Sequence, residues 1–272
     1  MMRFEWYKVI PVKKPWAPEL SGWFYRQGNH TIFFFANENQ VHMLRESDNY
    51  SQPIFKMAQG QITLPASWYI YQHFGNWYLL LSESIGLDLC KFAHCPKLPI
   101  EAVESYRKQK KDKLRQGILW QDDSYCIKAK GQSGYVCEVD GQVIWSFTGQ
   151  AYLYTPILRC EDNICFGTAG KGGWVYIISL HSGEVVTKVK TGGTVSLVQV
   201  GKRCYFVANS PSATLFCVDM ITGETLQEVN LGGKIDYSPL QLVENTLHTI
   251  TYEGNNNIHT KALWHCISID DK

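Results

Sequence analysis

Two stretches set the architecture: Trp174-Val175-Tyr176-Ile177-Ile178-Ser179, followed by Ser182-Gly183-Glu184-Val185-Val186, and their counterpart 40 residues on. The counterpart reads Leu215-Phe216-Cys217-Val218-Asp219, then Thr222-Gly223-Glu224-Thr225-Leu226. Each is preceded by another apolar run, Ile164-Cys165-Phe166-Gly167 in one copy and Cys204-Tyr205-Phe206-Val207 in the other. Ahead of those lie Tyr154-Thr155-Pro156-Ile157-Leu158 and Val195-Ser196-Leu197-Val198. A third copy begins at Tyr237-Ser238-Pro239-Leu240 and runs through Leu247-His248-Thr249-Ile250 to Trp264-His265-Cys266-Ile267-Ser268. Four short strands within a period near 40 residues are the signature of a propeller blade. The glycine before each fourth strand has a physical cause, since a tight hairpin needs a positive φ that glycine adopts at least cost.

The turn carries a family resemblance. Val218-Asp219-Met220-Ile221-Thr222-Gly223 and Gly141-Gln142-Val143-Ile144-Trp145 resemble the repeat of quinoprotein-like propellers, in which a strand ending near Leu-Asp leads into Thr-Gly and a Trp-bearing strand. The resemblance covers residues 117–269. It implies the fold but not the quinoenzyme activity, which in that family commonly uses adjacent cysteines, a calcium site and a catalytic aspartate. This chain has no Cys-Cys pair, and Thr187 and Gln227 stand where Trp145 stands. No cofactor is expected.

The N-terminal half repeats the pattern more loosely. Phe33-Phe34-Phe35-Ala36-Asn37 matches Tyr205-Phe206-Val207-Ala208-Asn209, and Trp77-Tyr78-Leu79-Leu80-Leu81 with Leu87-Asp88-Leu89-Cys90 repeats the arrangement. The expectation is an all-β propeller of six four-stranded blades, near 21–58, 62–96, 117–148, 153–190, 194–230 and 236–269. Seven blades is the alternative if the divergent stretch before residue 117 holds another. The last blade lacks a fourth strand, and Phe4-Glu5-Trp6-Tyr7-Lys8-Val9 has the alternation to supply it. Residues 3–9 are therefore expected to complete that blade and close the ring, removing an exposed edge. Residues 1–272 read as a single domain with a helical insertion at 97–116.

Composition agrees with this reading. The 272 residues include 9 Trp, 15 Tyr and 12 Phe, which favour strands, with 22 Gly and 10 Pro for turns. A formal net charge of +1 gives no general reason to bind nucleic acid or an anionic membrane. The charged start, Met1-Met2-Arg3-Phe4-Glu5, lacks a signal-peptide core, so a cytoplasmic location is expected. In that setting the 9 cysteines are expected as reduced thiols. Cys137, Cys217 and Cys266 share one place in their repeats with Ile177, and a position that takes Cys or Ile wants a compact apolar group. Cys90, His94 and Cys95 are close in sequence but would need further ligands to hold zinc.

Residues 97–116 break the β pattern. Pro99 stands near a first helical position with Glu101 and Glu104 in the opening turns, and basic residues gather toward the end, as a helix dipole prefers. Ile100, Val103 and Leu114 are the expected apolar stripe. Seven Lys and Arg against three Asp and Glu leave a local excess of four positive charges. One reading is a solvated helix between blades; the other is a recognition element for an acidic partner.

The remaining chemistry is sparse. No Gly-x-Ser-x-Gly elbow occurs, and Gly170-Lys171-Gly172-Gly173 lacks the Gly-Lys-Ser/Thr of a phosphate loop. The expected function is therefore non-enzymatic binding of a protein partner, of the kind an inhibitor or immunity protein uses to neutralise a toxin or effector. The expected contact residues are Tyr106, Arg107, Lys108, Lys110 and Lys111 of the insertion, with Lys171, Asn209, Glu253 and His259 from blade loops. Aromatic and Arg side chains are frequent interface anchors, which singles out Tyr106 and Arg107. The alternatives are a hydrolase or lyase with a central-pocket active site, and a small-ligand sensor.

Overall fold

The computed structural model describes residues 1–10, 22–37, 40–56, 69–114, 117–169, 172–193, 196–209, 211–235, 240–255 and 258–270. The chain opens with strand β1 (Met2–Ile10). The first blade is β2 (Gly22–Gln27), β3 (His30–Asn37), β4 (Gln40–Arg45) and β5 (Gln52–Lys56), and the second is β6 (Tyr69–His73), β7 (Asn76–Leu80), β8 (Gly86–Asp88) and β9 (Ala93–His94). Helix α1 (Ile100–Leu114) follows. The third blade is β10 (Ile118–Gln121), β11 (Tyr125–Lys130), β12 (Gly134–Val139) and β13 (Gln142–Thr148). The fourth is β14 (Leu158–Cys160), β15 (Asn163–Gly167), β16 (Trp174–Ser179) and β17 (Val185–Lys190). The fifth is β18 (Leu197–Val200), β19 (Arg203–Ala208), β20 (Thr214–Asp219) and β21 (Thr225–Asn230), and the sixth has β22 (Gln241–Val243), β23 (Thr246–Asn255) and β24 (Ile258–Ile269).

Every sheet has four antiparallel strands, five of the six as simple meanders, so the fold is all-β and of the propeller class, with six blades as the repeat predicts. The sixth blade has the order β1-β24-β23-β22: the N-terminal strand supplies its outer strand. Tyr7 pairs with His265 and Val9 with Leu263 in that register.

Packing divides the chain into two compact units, residues 1–12 with 116–272, and residues 13–115. Within the first, side chains alternate between two neighbours, which explains why the strands read as unbroken apolar runs. In β15, Ile164 and Phe166 pack toward Ile127, Tyr135 and Cys137 of the third blade. Cys165, between them, packs toward Cys204, Phe206 and Val218 of the fifth. Tyr205 and Leu215 in turn meet Leu247 and Ile267 of the sixth. In the second unit, Ile32, Phe34, Val41 and Met43 of the first blade pack on Leu79, Leu81 and Leu87 of the second. The recurrent thiols Cys137, Cys217 and Cys266 are all buried, as apolar fillers.

The turn expected before each fourth strand is present. Asp140 and Gly141 both have positive φ, 52° and 76°, the two-residue hairpin that matches strand twist. Gly183 and Gly223 adopt 71° and 75°. Just after each turn the outer strand carries one extra residue: Trp145 pairs with Cys137, Thr187 with Ile177 and Gln227 with Cys217, each beside a register shift. The same irregularity places Trp6 opposite Cys266 in the sixth blade. A bulge re-aims the side chains that follow it. Trp145 is thereby turned toward the next blade, where its indole N–H donates to the Leu180 carbonyl at 2.7 Å and its ring lies against Gly183.

Candidate functional site

Of the expected apolar stripe on helix α1, Val103 is half-buried and the side chain of Leu114 lies outside the described residues; other residues seat the helix. Ala102 and Tyr106, four residues apart and so on one face, are buried against Leu80, with Tyr69, Tyr71, Tyr78 and Leu98 around them. Ile100 is instead 71% exposed, because it lies at the first helical position, ahead of the turn that touches β6 and β7. The amides of Ala102 and Val103 donate to the Pro99 carbonyl, which sets the start of the helix. Tyr106 is thus corrected from an exposed anchor to the residue that fixes the helix to its blade. Arg107 and Lys108 are exposed. Arg107 Nε donates to Glu83 Oε2 at 3.0 Å, and Glu101 lies 3.8 Å from His73. The backbone of Lys110 and Lys111 belongs to α1, while their side chains lie outside the described residues.

The expected loop residues have separate fates. Lys171 lies outside the described residues. Asn209 is occupied internally, since its amide accepts from the Ile235 N–H at 2.6 Å and donates back to the Ile235 carbonyl. It is half-buried and pins one blade junction to the next. Glu253 is exposed and 3.4 Å from Lys261. His259 sits within β24 opposite Gly254, not in a loop, because the β23–β24 hairpin extends further than the other blades' strands; its side chain lies outside the described residues. Cys90, His94 and Cys95 take other partners: Asn76 Oδ1, the Phe55 ring and the Lys97 carbonyl. Among the described residues no group of three or more metal-ligating side chains converges.

One cluster was not legible in the sequence. The Tyr125 hydroxyl is 2.6 Å from His181 Nδ1, and His181 Nε2 is 2.9 Å from Asp162 Oδ1. Tyr125 opens β11 of the third blade, and Asp162 and His181 come from two turns of the fourth. Asp162 is placed by its carbonyl, which accepts from the Leu180 N–H at 2.7 Å, and Tyr125 by its own N–H, which donates to Asp122 Oδ1 at 2.7 Å. The Arg159 guanidinium carbon lies 5.9 Å from the centre of the Tyr125 ring and pairs with Asp122. Burial works against the charge on Asp122. The amides of Tyr125 and Ser124, with Arg159, outweigh that and hold its carboxyl below the ordinary carboxylate range. The one sequence-level signal is that His181 stands where the next repeat has Ile221.

No protein-family model and no curated protein matches the chain. Among solved structures, BamB from Moraxella catarrhalis is similar over 100% of this chain and 99% of its own, with 10% identity and a TM-score of 0.44. The WD40 β-propeller domain of Doa1 aligns with 91% of this chain and 78% of its own, at 10% identity and a TM-score of 0.38. The computationally designed Ika8 protein aligns over 89% and 70%, at 10% identity and a TM-score of 0.39.

Proposed function

We propose that the protein is a non-enzymatic binding module that engages an acidic surface of a protein partner through α1. The observation that carries this reading is the seating of the helix. Ala102 and Tyr106 fix it to the second blade, leaving Arg107 and Lys108 exposed within a segment of excess positive charge. A basic surface on a rigid element loses little conformational entropy on docking, and complementary charge steers the encounter. An inhibitor or immunity protein that masks a toxin is the narrower form of the proposal, in the reducing cytoplasm. The quinoprotein-like kinship of the repeat is proposed for the fold alone; it is supported by Trp145 docking on the next blade and by Asp219 Oδ1 accepting the N–H groups of Ile221 and Thr222.

The test is affinity capture from the protein's own cell, followed by titration of the captured partner. Lys108→Glu combined with Lys110→Glu and Lys111→Glu is expected to weaken binding by about tenfold or more and to flatten its dependence on salt. Unchanged affinity and salt dependence in a folded triple variant overturn the role of α1. For the narrower form, the captured partner's toxicity must be suppressed by the wild type and not by the triple variant.

A further inference from the structure

We propose that Tyr125 is an activated phenol that accepts phosphoryl groups, with His181 as its base. The hydrogen-bond roles follow from the donor inventory. An ionised Asp162 only accepts, so His181 Nε2 carries the proton it donates at 2.9 Å. In the neutral ring Nδ1 then offers a lone pair, and it faces the Tyr125 hydroxyl at 2.6 Å. A nucleophile, a base and a carboxylate that orients the base stand in series, the arrangement that activates hydroxyl nucleophiles.

Arg159 is the cationic donor of the site, its charge shared with Asp122. Its Nε donates to the Glu161 carbonyl and its Nη1 pairs with Asp122, and among the described residues no acceptor takes Nη2. That leaves a guanidinium donor beside the Tyr125 ring, suited to a phosphoryl oxygen. Access needs no pocket, since His181, Asp162 and Arg159 are exposed and Tyr125 is half-buried. In the reaction Tyr125 Oη attacks phosphorus, the new O–P bond forms, and the bond from phosphorus to the donor's leaving group breaks. The leaving group departs with the electron pair, and the phenolic proton passes to His181 Nδ1. The product is a phosphotyrosine ester at residue 125.

The probe is acetyl phosphate, a small phosphoryl donor, with peptide mass spectrometry comparing Tyr125 with Tyr152, which is 57% exposed. General-base assistance predicts that Tyr125 is modified faster by about tenfold or more. The excess is expected to vanish in His181→Gln and to shrink in Asp162→Asn and Arg159→Gln. Equal modification of the two tyrosines in the wild type, or an unchanged ratio in His181→Gln, overturns the proposal and leaves the cluster as a latch between turns. A variant that fails to fold is recognised by modification of Tyr205, which is buried in the folded chain; a conservative His181→Asn then takes the place of His181→Gln. Binding through α1 is read separately, so failure of either proposal leaves the other standing.

Discussion

His265 shows what burial does to a single ionisable group. It is 2% exposed, its Nε2 lies 2.7 Å from Thr251 Oγ1, and its Nδ1 has no partner among the described residues. Loss of water disfavours the imidazolium, so its pKa is pushed down to about 4. The unfolded chain takes up this proton near pH 6.5 while the folded chain does not. Stability from His265 is therefore complete above pH 6.5 and is lost as pH falls toward 4, by about 3 kcal/mol in all. Urea denaturation at pH 7, 6 and 5 is expected to show a falling midpoint, and His265→Gln to flatten that slope. An equally steep slope in the variant contradicts this account. The sequence marks His265 only as a strand position; its environment arises when β23 and β1 flank β24 and bring Thr251, Phe4 and Tyr7 around the ring.

Among elements, the turn and the bulge act together. Gly183 needs a positive φ, and a Cβ there would also come within 2.7 Å of the Trp145 ring. Gly201 has φ 56° but open space around it. Gly201→Ala is expected to cost roughly 1 kcal/mol from the left-handed conformation. Gly183→Ala is expected to cost a further ~1–3 kcal/mol from the clash, read as a lower denaturation midpoint. Equal losses at the two sites would show that Trp145 yields without cost. Gly183 stands out in the sequence as a turn residue, but only the bulge, which swings Trp145 onto the neighbouring blade, gives it a second constraint that Gly201 lacks. The helix teaches a related lesson. Its limits and charge are readable from Pro99, Glu101 and the run of lysines, whereas its buried face is not, because Ala102 looks no different from a solvent-facing alanine until β6 and β7 lie beneath it.

For the molecule as a whole, the joining of its beginning and end is the decisive contact. Beyond strand pairing with β24, β1 is held by Gln227 of the fifth blade, whose side-chain oxygen accepts the Met2 N–H at 2.6 Å and whose amide donates to the Met2 carbonyl at 2.8 Å. Gln227 occupies the place that Trp145 takes two blades earlier, so a docking position has become a clamp on a backbone edge. Gln227→Leu strands two polar groups and is expected to cost about 1–3 kcal/mol. Removal of residues 1–10 is expected to cost more and to cause self-association, since the edge of β24 is uncovered. Calorimetry and light scattering of the two variants check both; a truncated chain that stays monomeric with an unchanged midpoint contradicts the role of β1.

Local periodicity was enough to establish the blade, its turn glycines, the count of six and the use of the first strand to complete the last sheet. These features depend on alternation and φ within a few residues, and the chain carries them openly. Which side chains would meet was left to the tertiary structure. Tyr125, Asp162 and His181 lie far apart in sequence, and Tyr106 reads as a contact residue until the strands that bury it are in place. Strand order and bulges set those neighbours, because a polar side chain on a β turn has no partner of its own until a second blade brings one within hydrogen-bonding distance.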